Sequence, residues 1–225
     1  PRSAGAAASG KLMRRAALAL LAACLPGYAA ADSPSDAAAQ RLESALRGLS
    51  SFRAEFRQVV TGAEGEETET AAGTVSLARP GKFRWDYREP EQLIVSDGVT
   101  VWLYDADLAQ VTIRSAAETL IGTPALLLSG RSDISAEFDV AEGGEDDGLA
   151  WTLLTPKSAE SDFRELAVGI SDGVLRRMRL VDRLGQTTRL EFENIEPNPR
   201  FAEGSFSFSP PPGVDVVGAA PAGKP

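Results

Sequence analysis

Few side chains in this sequence could carry covalent chemistry. The chain has no histidine, and its one cysteine is Cys24. Ser-His-Asp and Cys-His nucleophiles, histidine-dependent zinc sites and four-cysteine sites are therefore excluded from the segment after it. No phosphate-cradling glycine loop of the P-loop or dinucleotide type follows a strand pattern. Carboxylates remain, 32 of them, and two across a cleft could act as acid and base. They gather in turns and on the wet faces of alternating segments, so a carboxylate-dependent hydrolase is the weaker reading. An enzyme is not expected, and no catalytic residue, metal ligand or cofactor is assigned. The other chemistry on offer is non-covalent. Phe83, Trp85 and Tyr87 alternate with Lys82, Arg84, Asp86 and Arg88. Val99, Val101 and Leu103 alternate with Trp102 and Tyr104. Such faces either fill an ordinary sandwich core or line a hollow for an apolar ligand.

Strands must position these residues, because successive side chains of a strand point to opposite faces. Residues 79–104 read as three strands in succession. Glu89-Pro90-Glu91 makes the first turn, since proline cannot donate to a ladder. Gln92–Ser96 is the second strand, Asp97-Gly98 a hairpin turn, and Val99–Tyr104 the third. Ahead of them, Ser35–Leu49 carries the apolar stripe of a helix: Ala38, Leu42, Ala45, Leu46 and Leu49. Phe52, Ala54 and Phe56 then alternate with Arg53, Glu55 and Arg57. Gly62–Glu69 is an acidic turn, and Thr70–Ala78 returns as a strand.

Ala109–Arg114 is another strand. Ser115–Ser129 then breaks the β pattern with two short helices around Gly122, signalled by the capping box Ser115/Glu118 and by Thr123-Pro124. They either fill one end of the core or form a movable cover. Five more strands are expected at Ile134–Val140, Leu149–Leu154, Phe163–Ile170, Val174–Val181 and Thr187–Asn194, with breaks at Gly143-Gly144, Thr155-Pro156, Asp172-Gly173 and Leu184-Gly185. Phe206 and Phe208, alternating with serines, suggest a last strand ended by Pro210-Pro211-Pro212-Gly213. About ten antiparallel strands rarely lie flat. The expected fold is mainly β with short helices: a strongly curved antiparallel sheet, an incomplete β-barrel, covered by an N-terminal helix and a helical lid.

Residues 1–31 read as upstream sequence plus a signal peptide. Arg14-Arg15 precede the apolar run Ala16–Leu25, Pro26-Gly27 breaks it, and Ala29-Ala30-Ala31 offers a cleavage pattern before Asp32. In the competing reading, Leu21-Ala22-Ala23-Cys24 is a lipobox and Cys24 is lipidated. Cleavage before Asp32 would leave a domain over 32–217 and a disordered tail over 218–225. The four basic residues of 1–31 would go with the leader. Nineteen Lys/Arg would then stand against 32 Asp/Glu, a net charge of −13, which argues against nucleic acid and anionic membrane surfaces as partners. An exported, soluble monomer in the periplasm is expected.

Six stretches in order, SSFRAEFRQ (50–58), RPGKFRWDY (79–87), LIVSDGVTVWLYD (93–105), TPALLL (123–128), LTPK (154–157) and FSFSPPPGV (206–214), resemble the periplasmic outer-membrane lipoprotein carrier family, LolA. The resemblance implies a carrier that accepts acylated lipoproteins from an inner-membrane ABC transporter. It would shelter their acyl chains in a hydrophobic cavity and deliver them to an outer-membrane receptor. It also implies that Arg79, before the proline of RP, latches the lid, and that Phe83 stands at the cavity mouth. Trp85, Tyr87, Leu93, Val95, Val101, Leu103, Leu120, Ile121, Pro124, Leu126 and Leu127 are the further expected cavity residues. Two related readings share the fold: a lipid-anchored outer-membrane receptor, if Cys24 is a lipobox cysteine, and a periplasmic sensor of lipids or lipoproteins.

Overall fold

The computed structural model describes residues 34–120 and 134–220, with the side chains of Glu118 and Leu120 left aside. Helix α1 (Pro34–Arg47) is followed by strands β1 (Ser51–Thr61), β2 (Glu67–Ala78), β3 (Lys82–Arg88), β4 (Glu91–Asp97), β5 (Thr100–Asp105) and β6 (Gln110–Ser115). Among the described residues two short helices come next, α2 (Ala116–Leu120) and, beyond 121–133, α3 (Ile134–Glu137). The chain ends with β7 (Phe138–Asp146), β8 (Leu149–Pro156), β9 (Phe163–Ser171), β10 (Val174–Asp182), β11 (Thr187–Pro197) and β12 (Asp215–Gly218). All twelve strands form one sheet in the order β12-β6-β5-β4-β3-β2-β1-β11-β10-β9-β8-β7. Strands β12 and β7 are its two edges, so the sheet is not closed. Flat, it would be roughly 50 Å wide at ~4.8 Å per strand, whereas fourteen residues of helix span only ~21 Å. Yet one connected core takes in α1 and strands from β1, β3 and β5 round to β8, β9 and β10, which requires the sheet to curl around the helix.

The inner face follows from strand parity. In β1, Phe52, Ala54 and Phe56 are buried while Arg53, Glu55 and Arg57 are exposed. Leu42 and Leu46 of α1 pack into the same core as these β1 residues. Burying two leucines contributes about 3–6 kcal/mol before conformational entropy is set against it. Arg41 of α1 donates to Glu142 at 2.9 Å and to the Trp151 carbonyl at 3.3 Å, tying the helix to β7 and β8.

The outer face is covered in part by residues 198–214. Asn198 anchors their start: its Oδ1 accepts from Ser50 N at 2.8 Å and its Nδ2 donates to Gly48 O at 2.9 Å. The Arg53 guanidinium lies 4.9 Å from the centre of the Phe201 ring. Phe201 meets Phe206 edge-on at 5.0 Å, and Phe208 lies 5.8 Å from Tyr104. Val95 and Val111 are fully buried yet lie outside the main core; they belong to this second apolar layer.

Four expectations are corrected. Ile134–Glu137 is helical rather than strand, held by Lys157 Nζ donating to Ser135 O at 2.6 Å. Gly143-Gly144 does not end β7 but forms a bulge between Glu142 and Glu145, with Gly144 at φ 78, the left-handed region glycine takes freely. Phe206 and Phe208 lie in no strand. Ser205 and Ser207 instead donate backbone and hydroxyl hydrogens to Ala202 O and Gly204 O, local bonds that compete with a ladder. The last described strand is instead β12, beyond Pro210-Pro211-Pro212-Gly213, and it pairs parallel with β6.

Candidate functional site

Residues directly opposite each other across an antiparallel pair share a face. The two-residue turn at 89–90 sets Arg88 opposite Glu91, and hence Phe83 opposite Ser96, Trp85 opposite Ile94 and Tyr87 opposite Gln92. The next hairpin sets Ser96 opposite Val101, Ile94 opposite Leu103 and Gln92 opposite Asp105. Three parallel rows therefore cross the inner face: Phe83–Ser96–Val101, Trp85–Ile94–Leu103 and Tyr87–Gln92–Asp105. Neighbouring rows are ~7 Å apart, two residues along a strand. The first row is buried throughout, and the other two are half-buried throughout.

An aromatic floor lies under the second and third rows. Phe56 meets Trp85 at 4.9 Å and Tyr87 at 5.0 Å between ring centres, both edge-on, and Trp85 lies 6.4 Å from Phe192. Gly73 makes room for it. A β-carbon there would come within 2.9 Å of Phe56 Cε1 and would run into the Asp86 carbonyl. Tyr87 Oη reaches Gln58 Oε1 at 3.4 Å. Burial, with a smaller push from the Glu69 carboxylate, drives the Tyr87 phenol up to about 12. The phenol is thus neutral and a hydrogen-bond donor at any physiological pH.

Arg79 stands at the end of β2, where its guanidinium donates to Leu46 O at 2.7 Å, in the last turn of α1. A cation there complements the partial negative charge of a helix C-terminus. Burial lowers the Arg79 pKa from its ordinary value, and Leu46 O is one among its contacts.

The expected cavity residues separate. Phe83, Trp85, Tyr87, Val101 and Leu103 share the inner face. Leu93 and Val95 do not: Leu93 stands opposite Tyr104 and Val95 opposite Trp102, on the outer face. The tight 89–90 turn reverses the parity between β3 and β4, so the inward residue of β4 is Ile94. Phe83 is 4% exposed and lies within the core. The side chain of Leu120, and Ile121, Pro124, Leu126 and Leu127 entirely, lie outside the described residues. Sequence reasoning missed Ile94, Phe56 and Phe192. The first was legible in the turn length, and the second in its alternation with Arg53, Glu55 and Arg57.

The chain has marked likenesses among known proteins. The family model described as "Outer membrane lipoprotein carrier protein LolA" matches residues 47–209. Proteins named outer-membrane lipoprotein carrier protein are similar over most of the chain. That of Dechloromonas aromatica is 41% identical over 182 residues, covering 80% of this chain and 88% of its own. That of Chromobacterium violaceum is 40% identical over 199 residues, covering 88% and 95%. Among solved structures, an uncharacterized conserved protein from Thermus thermophilus shares the fold with a TM-score of 0.51 at 16% identity, over 80% of this chain and 98% of that one.

Proposed function

The chain belongs to the LolA family of outer-membrane lipoprotein carriers, and from that premise we propose that its inner face carries the acyl chains of lipoproteins across an aqueous compartment, the periplasm. The work is binding and release; no covalent bond is made or broken. One observation carries the reading. Trp85, Ile94 and Leu103 form an apolar row on the concave side of a curved sheet, and all three pack against the core yet stay only half-buried. A sheet that used this face merely as its core would cover it with its own side chains, at a gain of about 25 cal/mol per Å².

The energetics suit such a task. Keeping an acyl chain of about fifteen methylenes out of water is worth ~12 kcal/mol at ~0.8 kcal/mol each. Cargo with two or three chains therefore needs a carrier to cross water. The carrier must also let go, so the site cannot be too deep a sink. In this reading the cargo comes from an inner-membrane ABC transporter and goes to an outer-membrane receptor. Arg79 ties the end of β2 to α1 and holds the covered state, and a few hydrogen bonds of a charged donor, at ~1.5–3 kcal/mol each, are weak enough for transfer to offset. Native mass spectrometry of the protein purified from the periplasm tests the reading. A co-purifying acylated protein is expected; a ligand-free protein that also fails to take up a synthetic lipopeptide would overturn it.

A further inference from the structure

The three inner rows change character along the strands. Phe83–Ser96–Val101 is buried, with its only hydroxyl, Ser96 Oγ, already donating to Gly81 O at 3.0 Å. Trp85–Ile94–Leu103 is apolar and half-buried. Tyr87–Gln92–Asp105 is half-buried and polar throughout. The register carries this polarity onward across the sheet, because Asp105 stands opposite Gln110, which stands beside Asp215 of the edge strand β12. Gln92 Nε2 donates to Asp105 Oδ2 at 3.2 Å, and Asp105 Oδ1 accepts from Leu108 N at 3.0 Å, which leaves the second amide hydrogen of Gln92 and its carbonyl oxygen able to bond further, with a spare lone pair on each Asp105 oxygen. A polar row running in register to the sheet edge, ~7 Å from an apolar one, is a poor seat for hydrocarbon. It suits the groups by which hydrocarbon is joined to a protein.

Building on the carrier reading, we propose that Tyr87, Gln92, Asp105 and Gln110 form a head-group subsite. It takes the glyceryl ester carbonyls and the first peptide amides of an acylated N-terminus. Cargo then lies in one direction. Its chain ends point toward Phe83 and Val101, its middle crosses Trp85, Ile94 and Leu103, and its peptide leaves past β6 and β12. The Gln92 and Gln110 amides supply donors for ester and amide oxygens, and the spare lone pairs of Asp105 accept amide hydrogens. The Tyr87 hydroxyl, whose hydrogen goes to Gln58 Oε1 at 3.4 Å, offers its oxygen as a further acceptor. The site would favour chains bearing a carbonyl-rich head over plain alkyl chains, a distinction apolar burial alone cannot make.

The test measures two ligands on the full mature protein: a synthetic diacylglyceryl-cysteinyl pentapeptide and a fatty alcohol of the same chain length. In Q92L/D105L both members of the bonded pair are removed together, and Leu108 N, which donates to Asp105 Oδ1 at 3.0 Å in an exposed turn, turns to water instead. The affinity ratio of lipopeptide to alcohol is expected to fall about tenfold, the loss of one to two net hydrogen bonds. A ratio within twofold of the wild type overturns the subsite. If neither ligand binds the wild type, the carrier reading itself fails. A second measurement needs no variant. A nitroxide at the acyl terminus should broaden the amide resonances of Phe83 and Val101, and one on the peptide those of Gln92 and Gln110. The reverse pattern overturns the direction.

Discussion

Neighbouring residues of β4 should respond oppositely to the same substitution. Ile94 stands between Trp85 and Leu103 on the inner face, and Leu93 stands between Asp86 and Tyr104 on the outer one. Ile94→Lys removes apolar contact from the middle of the acyl path and sets an ammonium beside it. Losing contact with about two methylenes costs ~1.6 kcal/mol. The half-buried position lets the lysine head reach water at a cost of about 1 kcal/mol more. The sum, about 2–3 kcal/mol, is roughly a 30- to 150-fold loss of affinity for an alkyl ligand. Leu93→Lys places the same charge near Asp86 and away from the path, and should change affinity less than about threefold. Titration of both variants with a fluorescent fatty acid, with urea midpoints as a check on folding, decides the matter. Equal weakening by the two variants, or greater weakening by Leu93→Lys, would refute the assignment of faces.

Two further outcomes are expected. Arg79→Leu loses the bond to Leu46 O, a charge-assisted hydrogen bond worth about 2 kcal/mol. The melting temperature of the mature protein should drop by ~4–8 °C, with loading of a lipopeptide retained and its transfer to a receptor impaired; normal transfer in vitro would remove the latching role. Tyr87 carries a pH signature. Its folded-state pKa is raised from 10.0 to about 12, so the folded state holds the proton longer than the unfolded one. Its contribution is complete below pH 10 and is lost as pH rises toward 12, amounting to about 2 kcal/mol. In urea titrations between pH 9 and 11.5, Tyr87→Phe should lose stability less steeply than the wild type; parallel curves would show that the phenol is not held in this way.

Much of this architecture is written in short-range sequence signals. Alternation in Phe52–Arg57 and Phe83–Arg88 fixed strand and face together. Asp97-Gly98 marked its hairpin, where Asp97 Oδ1 accepts from both Val99 N and Thr100 N. Two of the misreadings depended on a partner distant in sequence. Ile134–Glu137 has no strong preference of its own, and Lys157, some twenty residues on, holds it helical. Gly143 looked like a break, but in the sheet it lies against Trp151, where a β-carbon would come within 2.8 Å of the Trp151 Cβ. Leu93 and Val95 are expected inward because they are the more apolar set of β4, whose other set is Gln92, Ile94 and Ser96. Composition does not choose which set turns inward; the register set by the 89–90 turn does.

The apolar outer set of β4 has a physical consequence. If the inner face of β3–β5 is kept available to a ligand, it cannot contribute fully to folding when empty, and the strands need burial elsewhere. The outer face supplies it. Val95, Trp102, Tyr104 and Val111 lie there, Val95 and Val111 wholly out of water, with Phe208 against Tyr104. Residues 198–214 are pinned at one end by Asn198 and joined through β12 to β6 at the other. They leave the middle of the sheet and end at the edge of the half that bears the rows. The other half, β7–β9, is instead covered from inside by α1 through Leu42 and Leu46. The β7–β9 half thus draws stability from a helix on its concave side, while the β3–β5 half adds a strap on its convex side to the buried Phe83 and Val101 that it gives the common core. On the carrier reading, that second source leaves the half-buried rows beyond Phe83 to hold something other than the protein's own core.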